Sequence, residues 1–255
     1  MNISGNTIFI PGATSGIGLA LALRLQAKGN TVIIGGRRAA LLEELRAEHG
    51  FDTVRLDTAD AASIRSAAAE VVAKHPDLNV LLAMAGIMRI EDWHSADGFL
   101  TDAEEIITTN LLGPIRLIAA FIEQLQSRPD ATIVTVSSGL AHTPLLVTPS
   151  YNASKAAIHM LSESIRLQLA DTNVKVLELV PPSVATELVP GQAESPFAMP
   201  LDAFADETIS LIETQPDAHE ILVENVKFLR FGEARGDYDQ VVATVNRLDP
   251  HGVNA

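Results

Sequence analysis

The chain has no cysteine, which excludes disulfides, thiolate metal centres and cysteine nucleophiles. Aromatic residues are scarce, at 4% of 255, although 47% of residues are hydrophobic. A large core must therefore be built from aliphatic side chains. Basic residues are the minority charge, 18 Lys and Arg against 32 Asp and Glu, giving a formal net charge of −14. With no basic stripe to neutralise phosphates, a nucleic-acid partner is not expected. The region after Met1 lacks a basic stretch ahead of an apolar one, and no apolar run is long enough to span a bilayer. The expectation is a cytoplasmic protein with no signal peptide and no membrane partner.

What is present is alternation. Short apolar runs at 7–10, 31–34, 53–56, 80–83, 132–137, 175–180 and 220–223 read as strands. Helical patterns fall between them at 17–28, 39–48, 61–74, about 102–126 and about 150–170. The runs are continuously apolar, as in strands buried on both faces. Strands alternating with helices imply an α/β protein with a doubly wound parallel sheet. No repeat or linker divides the chain, so 1–255 reads as one domain. The irregular stretch 183–200, with Pro190, Gly191, Pro196 and Pro200, follows the sixth strand. Open α/β sheets bind ligands at that carboxyl edge, so this stretch is the expected substrate loop.

The turn after the first strand reads Gly12-Ala13-Thr14-Ser15-Gly16-Ile17-Gly18. Glycines between a strand and a helix let backbone approach a pyrophosphate, which the helix N-terminus then stabilises. The second strand ends in Gly35-Gly36-Arg37-Arg38. An NAD site offers a carboxylate there, whereas arginine suits the 2′-phosphate of NADP. Gly36 stands where the acid would, and two guanidiniums follow that can fork onto phosphate oxygens, so NADP(H) is the expected cofactor. Thr14 and Ser15 could donate to the same phosphate. Asp57 could accept from an adenine amino group or cap the next helix.

Tyr151 and Lys155 stand four residues apart, on one face of a helix, with Ser138 upstream. A phenol with an ordinary pKa of about 10 is a weak acid. A nearby ammonium favours the phenolate, and a serine hydroxyl could hold a carbonyl oxygen beside it. With the glycine turn, Asn110, Ser138, Tyr151 and Lys155 in this order and spacing, the chain resembles the short-chain dehydrogenase/reductase family over almost its whole length. The resemblance implies a Rossmann-type fold, with Tyr151 as general acid/base and Ser138 orienting substrate. It implies that Lys155 lowers the tyrosine's pKa and binds the nicotinamide ribose, and that the backbone of Asn110 holds a relay water. Tyr151, Lys155, Ala85, Gly86, Pro181, Val184 and Thr186 become expected cofactor contacts, and homodimers or homotetramers are implied. Three departures stand out: Pro11-Gly12 replaces Thr-Gly, Ala83-Met84-Ala85-Gly86 replaces Asn-Asn-Ala-Gly, and Pro181-Pro182 replaces Pro-Gly. The segment 220–238 lacks the family's common Gly-Gly ending and is more similar to the oxidoreductases associated with cell-wall D-alanylation.

The expected activity is NADPH-dependent reduction of a ketone or aldehyde with hydrophobic substituents. The pocket candidates are Met88, Leu140, His142, Leu145, Leu146, Val184, Leu188, Phe197 and Met199. No metal is expected. The same residues would serve an NADP-dependent alcohol dehydrogenase working in oxidation. The reading from another class is an NADP(H)-sensing protein without catalysis, against which the intact proton-transfer residues argue.

Overall fold

The computed structural model describes residues 1–248. Strands β1 (Thr7–Pro11), β2 (Thr31–Gly36), β3 (Asp52–Arg55), β4 (Val80–Ala83), β5 (Ala131–Val136), β6 (Val174–Leu179) and β7 (Glu220–Ile221) form one sheet. Their order is β3-β2-β1-β4-β5-β6-β7, and every pairing is parallel. The order reverses between β1 and β4, the crevice where such sheets take a dinucleotide. All seven expected strands are present.

The helices are α1 (Gly16–Ala27), α2 (Ala39–His49), α3 (Ala61–Lys74), α4 (Leu100–Ile107), α5 (Gly113–Gln126), α6 (Pro149–Gln168), α7 (Leu201–Thr214), α8 (Lys227–Arg230), α9 (Gly232–Arg235) and α10 (Tyr238–Leu248). Side chains alternate across the sheet. Ile8 and Ile10 join one core with Leu21, Leu25 and Phe204, whereas Phe9 joins another with Ile64, Leu117 and Phe121. Helices α1, α2 and α7 therefore cover one face, and α3, α5 and α6 the other.

The helix expected over 102–126 is interrupted. Between α4 and α5, Thr108–Leu112 forms a π-helical turn, and Gly113 N–H donates to Thr108 O, five residues back. Pro114 explains the break, because it has no N–H to donate to Asn110 O four residues earlier. By length and composition, Leu100–Gln126 passes as a membrane span, contrary to the sequence reading. Ile106, Leu117, Phe121 and Leu125 are nonetheless buried in the domain, as in a core helix.

Helix α7 was not expected. Its signal was a helical spacing of Phe204, Ala205, Thr208, Ile209 and Ile212, all buried. Arg24 of α1 ties it down through Asp206 at 2.6 Å and Asp202 at 3.0 Å. The loop before α7 is also more ordered than its composition suggested. Val184 and Met199 form a parallel bridge, with Ala185 N–H donating to Met199 O and Met199 N–H to Ser183 O, each at 2.9 Å.

Candidate active site

Two crevices meet at the carboxyl edge of the sheet. In the first, the chain leaves β1 through Gly12 at φ 89°. A Cβ on Gly12 would lie 2.8 Å from Ala85 Cα, and one on Gly18 2.8 Å from Ala13 Cα. The turn thus closes tightly on itself and on the residues after β4. Thr186 lies over Gly16, its Cγ2 3.5 Å from where a Cβ would stand. Helix α1 begins after Ser15, whose hydroxyl makes no capping bond, and its first turn holds no acid. The amides around Gly16, Ile17 and Gly18 are uncompensated by the protein, an arrangement that fits a pyrophosphate.

At the end of β2, the space a side chain on Gly36 would need is taken: its Cβ would come 2.6 Å from Thr14 Cγ2. Arg38 donates to Thr14 Oγ1 at 3.1 Å, and both Arg37 and Arg38 are exposed. Thr14 is therefore packed against the arginine end of β2. Asp57 does not cap α3; Asp60 does, accepting from Ala62 N–H. One oxygen of Asp57 accepts from Ala59 N–H at 3.0 Å, which fixes its carboxylate in a turn after β3.

The second crevice holds the proton-transfer residues. Ser138, Tyr151, Lys155 and Asn110 are all buried. Tyr151 and Lys155 lie on α6, and Lys155 Nζ stands 5.5 Å from the centre of the Tyr151 ring. That ammonium donates to Val136 O at 2.9 Å. Ser138 follows β5, and its Oγ accepts from Leu140 N–H at 3.1 Å. Asn110 Oδ1 accepts from Ile87 N–H and its Nδ2 donates to Ile87 O, both at 2.8 Å. Its amide also reaches Ser154 Oγ at 3.2 Å. Asn110 so braces the loop after β4 against α6. A Cβ on Gly86 would stand 3.3 Å from Asn110 Oδ1 and 3.7 Å from Lys155 Nζ, so Gly86 opens the approach to the lysine.

Burial dominates the electrostatics. It pushes the Tyr151 phenol up to about 12, opposed by the Ser138 hydroxyl. The expected lowering by Lys155 does not prevail here. Burial pulls the Lys155 ammonium down to about 8, opposed by the charge of Glu178. At neutral pH the tyrosine is thus a protonated donor beside a cation.

Tyr151 and Ser138 open into a cavity of about 290 Å³. Its walls include the expected Met88, Leu140, Leu145, Leu188 and Phe197, and no charged residue among the described residues lines it. Four candidates lie elsewhere. Leu146 is exposed on the outer surface, and Val184 and Met199 are buried in the bridge under the loop. His142 packs edge-on to His159, ring centres 4.5 Å apart, and burial lowers its pKa to about 4. Pro182 and Ser183 line the cavity, while Pro181 O accepts from Gly139 N–H at 2.9 Å.

Besides Ile90, Val147 and Thr148 of the cavity wall, the sequence reading missed two groups. Asn225, Phe228, Leu229 and Val245 close the cavity from the C-terminal segment, where only long-range packing identifies them. Glu91 is the other. Its Oε2 accepts from Ser150 N–H at 2.9 Å, capping α6, and from Trp93 Nε1 at 3.0 Å. Thr148, at the N-cap position, makes no side-chain cap bond itself. An acid far upstream of the helix it caps leaves no local signal.

The short chain dehydrogenase family model matches residues 6–195. An uncharacterized oxidoreductase of Bacillus subtilis (strain 168), DltE, is 36% identical over 250 residues, covering 96% of this chain and 98% of the relative. A short-chain dehydrogenase from Streptomyces avermitilis superposes with a TM-score of 0.80 at 24% identity, over 95% of this chain and 97% of the other. One from Burkholderia cenocepacia, solved in complex with NADP, has a TM-score of 0.79 at 24% identity, over 96% and 99%. The chain belongs to the short-chain dehydrogenases, and so is an oxidoreductase acting on alcohol or carbonyl groups with a nicotinamide cofactor.

Proposed function

We propose that this short-chain dehydrogenase reduces uncharged ketones or aldehydes with hydrophobic substituents, using NADPH. The observation that carries the reading is a protonated phenol lining a cavity whose described wall residues are all uncharged. When bound, the nicotinamide supplies hydride to the carbonyl carbon. Tyr151 donates its proton to the carbonyl oxygen as charge develops there, and Ser138 adds a hydrogen bond to the same atom. Lys155 contributes its ammonium beside the phenol and binds the ribose. Asn110, whose carbonyl Pro114 cannot use, would hold a water that returns a proton toward Lys155. The amides at Gly12, Gly16, Ile17 and Gly18 would carry the pyrophosphate, with the Thr14 and Ser15 hydroxyls and the Arg37 and Arg38 guanidiniums toward the 2′-phosphate. Asp57 would take the adenine edge. Ala85, Gly86, Pro181, Val184 and Thr186 would flank the nicotinamide half.

The protonated phenol is the donor form that reduction requires. The test is NADPH consumption with a panel of neutral ketones and aldehydes beside keto acids. Turnover of the neutral compounds is expected, and none of the keto acids, whose carboxylate would be buried without a partner. Reduction requires Tyr151 protonated and Lys155 as ammonium. Its rate should be level through neutral pH and fall above about pH 8 as Lys155 deprotonates, with no limb from Tyr151 below about pH 12. Preferred turnover of keto acids, or a rate that climbs through pH 8 to 9, would refute the reading.

The same reading includes self-association. Leu112 and Ile115 before and within α5, and Met160 and Leu167 on α6, are exposed, Leu167 at 80%, whereas Phe121 and Ile158 enter the core. An apolar pair of helix faces of this kind suits a helix–helix interface between copies. Light scattering should give the mass of a dimer or tetramer; a mass of 27.2 kDa would refute it.

A further inference from the structure

Beneath the proton-transfer residues, the contact between α6 and the sheet stops being aliphatic. Toward the carboxyl ends of β5 and β6, the face that elsewhere carries Ile133 and Val174 carries Thr135, Ser137 and Glu178 instead. Thr135 Oγ1 and Ser162 Oγ share a hydrogen bond of 2.7 Å. Glu178 is fully buried, an acid within the otherwise apolar run Val176, Leu177 and Leu179. Its carboxylate is held on two sides. Ser137, the neighbour of Ser138, donates to Oε1, and His159, one turn beyond Lys155, lies 2.9 Å from Oε2 and 3.1 Å from Oε1.

A buried carboxylate is expensive to keep and persists where it is paired. Here the pairing joins the strand end that presents Ser138 to the helix that presents Tyr151 and Lys155. We propose that Glu178 is a positioning residue for the proton-transfer site: its bonds to Ser137 and His159 fix the strand end that presents Ser138 against the helix that presents Tyr151 and Lys155. The proposal rests on the assignment of Tyr151 and Lys155 above.

The charged surroundings are few. Around Glu178 stand His159 of α6, Glu220 of β7 and, through Glu220, Arg230 of α8. His142, after β5, faces His159. Burial raises the pKa of Glu178, against Ser137 and His159, which lower it. Lys155 stands over the Tyr151 ring on its own helix, and the charge of Glu178 raises its pKa against burial. His142, His159, Glu178 and Glu220 also offer ligand atoms within 4.8 Å of one another. Arg230, however, already engages both oxygens of Glu220, at 2.9 and 3.0 Å. Glu220 is therefore already paired with Arg230, and Glu178 with Ser137 and His159.

The test reads Lys155 directly, without turnover. The chain has few lysines, Lys28, Lys74, Lys155, Lys175 and Lys227. Carbon-13 labelling at lysine Cε gives resolvable titrations, with Lys155 assigned by the signal lost in Lys155→Met. In Glu178→Gln, which keeps the shape and a hydrogen-bond acceptor, the Lys155 midpoint should fall by roughly half a unit or more. His159→Gln, which retains the carboxylate, should move it the same way by less, and it serves if Glu178→Gln fails to fold. The falling limb of the kcat profile should shift to lower pH by the same amount. A Lys155 midpoint unmoved in a folded variant would make Glu178 merely structural and overturn the proposal. A lowered midpoint in a protein that reduces no carbonyl would support it and refute only the assigned activity.

Discussion

Tyr151→Phe is expected to lower kcat for carbonyl reduction by about a hundredfold or more, the scale of lost general acid catalysis, while NADPH still binds. The change removes one oxygen and keeps the ring, so packing against Lys155 and the cavity wall persists. Ser138 remains to hold the carbonyl oxygen, which leaves residual activity. What disappears is a proton held at the reacting atom. Among the described residues no charged side chain lines the cavity to replace it. A hundredfold loss corresponds to about 2.7 kcal/mol of transition-state stabilisation. The loss should fall on kcat, with the KM for ketone little changed, because the interaction matters most when charge has developed. The other tyrosine, Tyr238, supplies the control: Tyr238→Phe sits at the start of α10 and should leave kcat as it was. Retained ketone reduction in Tyr151→Phe, measured with saturating NADPH, would remove the tyrosine from its assigned role.

The second large effect concerns the cofactor. The double substitution Arg37→Ala, Arg38→Ala should raise the KM for NADPH about ten- to a hundredfold and leave that for NADH nearly unchanged. Hydrogen bonds to charged groups contribute about 1.5–3 kcal/mol each. Both arginines are exposed, and salt screening reduces their share, hence the lower end of the range. Because Thr14 fills the space above Gly36, Gly36→Asp alone should not produce an NADH enzyme. The new carboxylate would meet the Thr14 methyl before it reached a ribose. Steady-state kinetics with both cofactors decide the matter. Equal losses for NADPH and NADH, or a wild-type enzyme indifferent between them, would mean the arginines do not read the 2′-phosphate.

Much of this fold was legible because its strands are short, aliphatic and punctuated by glycine or proline. Each such run could be read locally, and the parallel order followed from the helices between them. The glycine turn and the Tyr151–Lys155 spacing were legible for the same reason, being contiguous in sequence. Asn110 was legible as a residue, but its setting was not. The π turn comes from Pro114 interrupting an otherwise uniform helical pattern. His142 was misplaced because its surroundings, His159 and Arg230 among them, come from distant segments. Helix α7 carries an ordinary apolar spacing, but Pro190, Pro196 and Pro200 just before it mask the onset of a helical pattern. Glu178 stood in plain view as an acid in a strand, and only the neighbours it meets across β5 and α6 give it meaning.

The bridge between Val184 and Met199 has a consequence for how such an enzyme diversifies. It clasps the chain at both ends of the segment 185–198, and Gln192 Nε2 adds a tie to Val184 O at 2.7 Å. Inside the clasp, Leu188, Val189, Gln192, Ser195 and Phe197 line the cavity, while Thr186 reaches over Gly16 in the cofactor crevice. The segment is thus a cassette. Its sequence can drift, and with it the shape of the accepted molecule, while the hydride and proton chemistry is inherited intact.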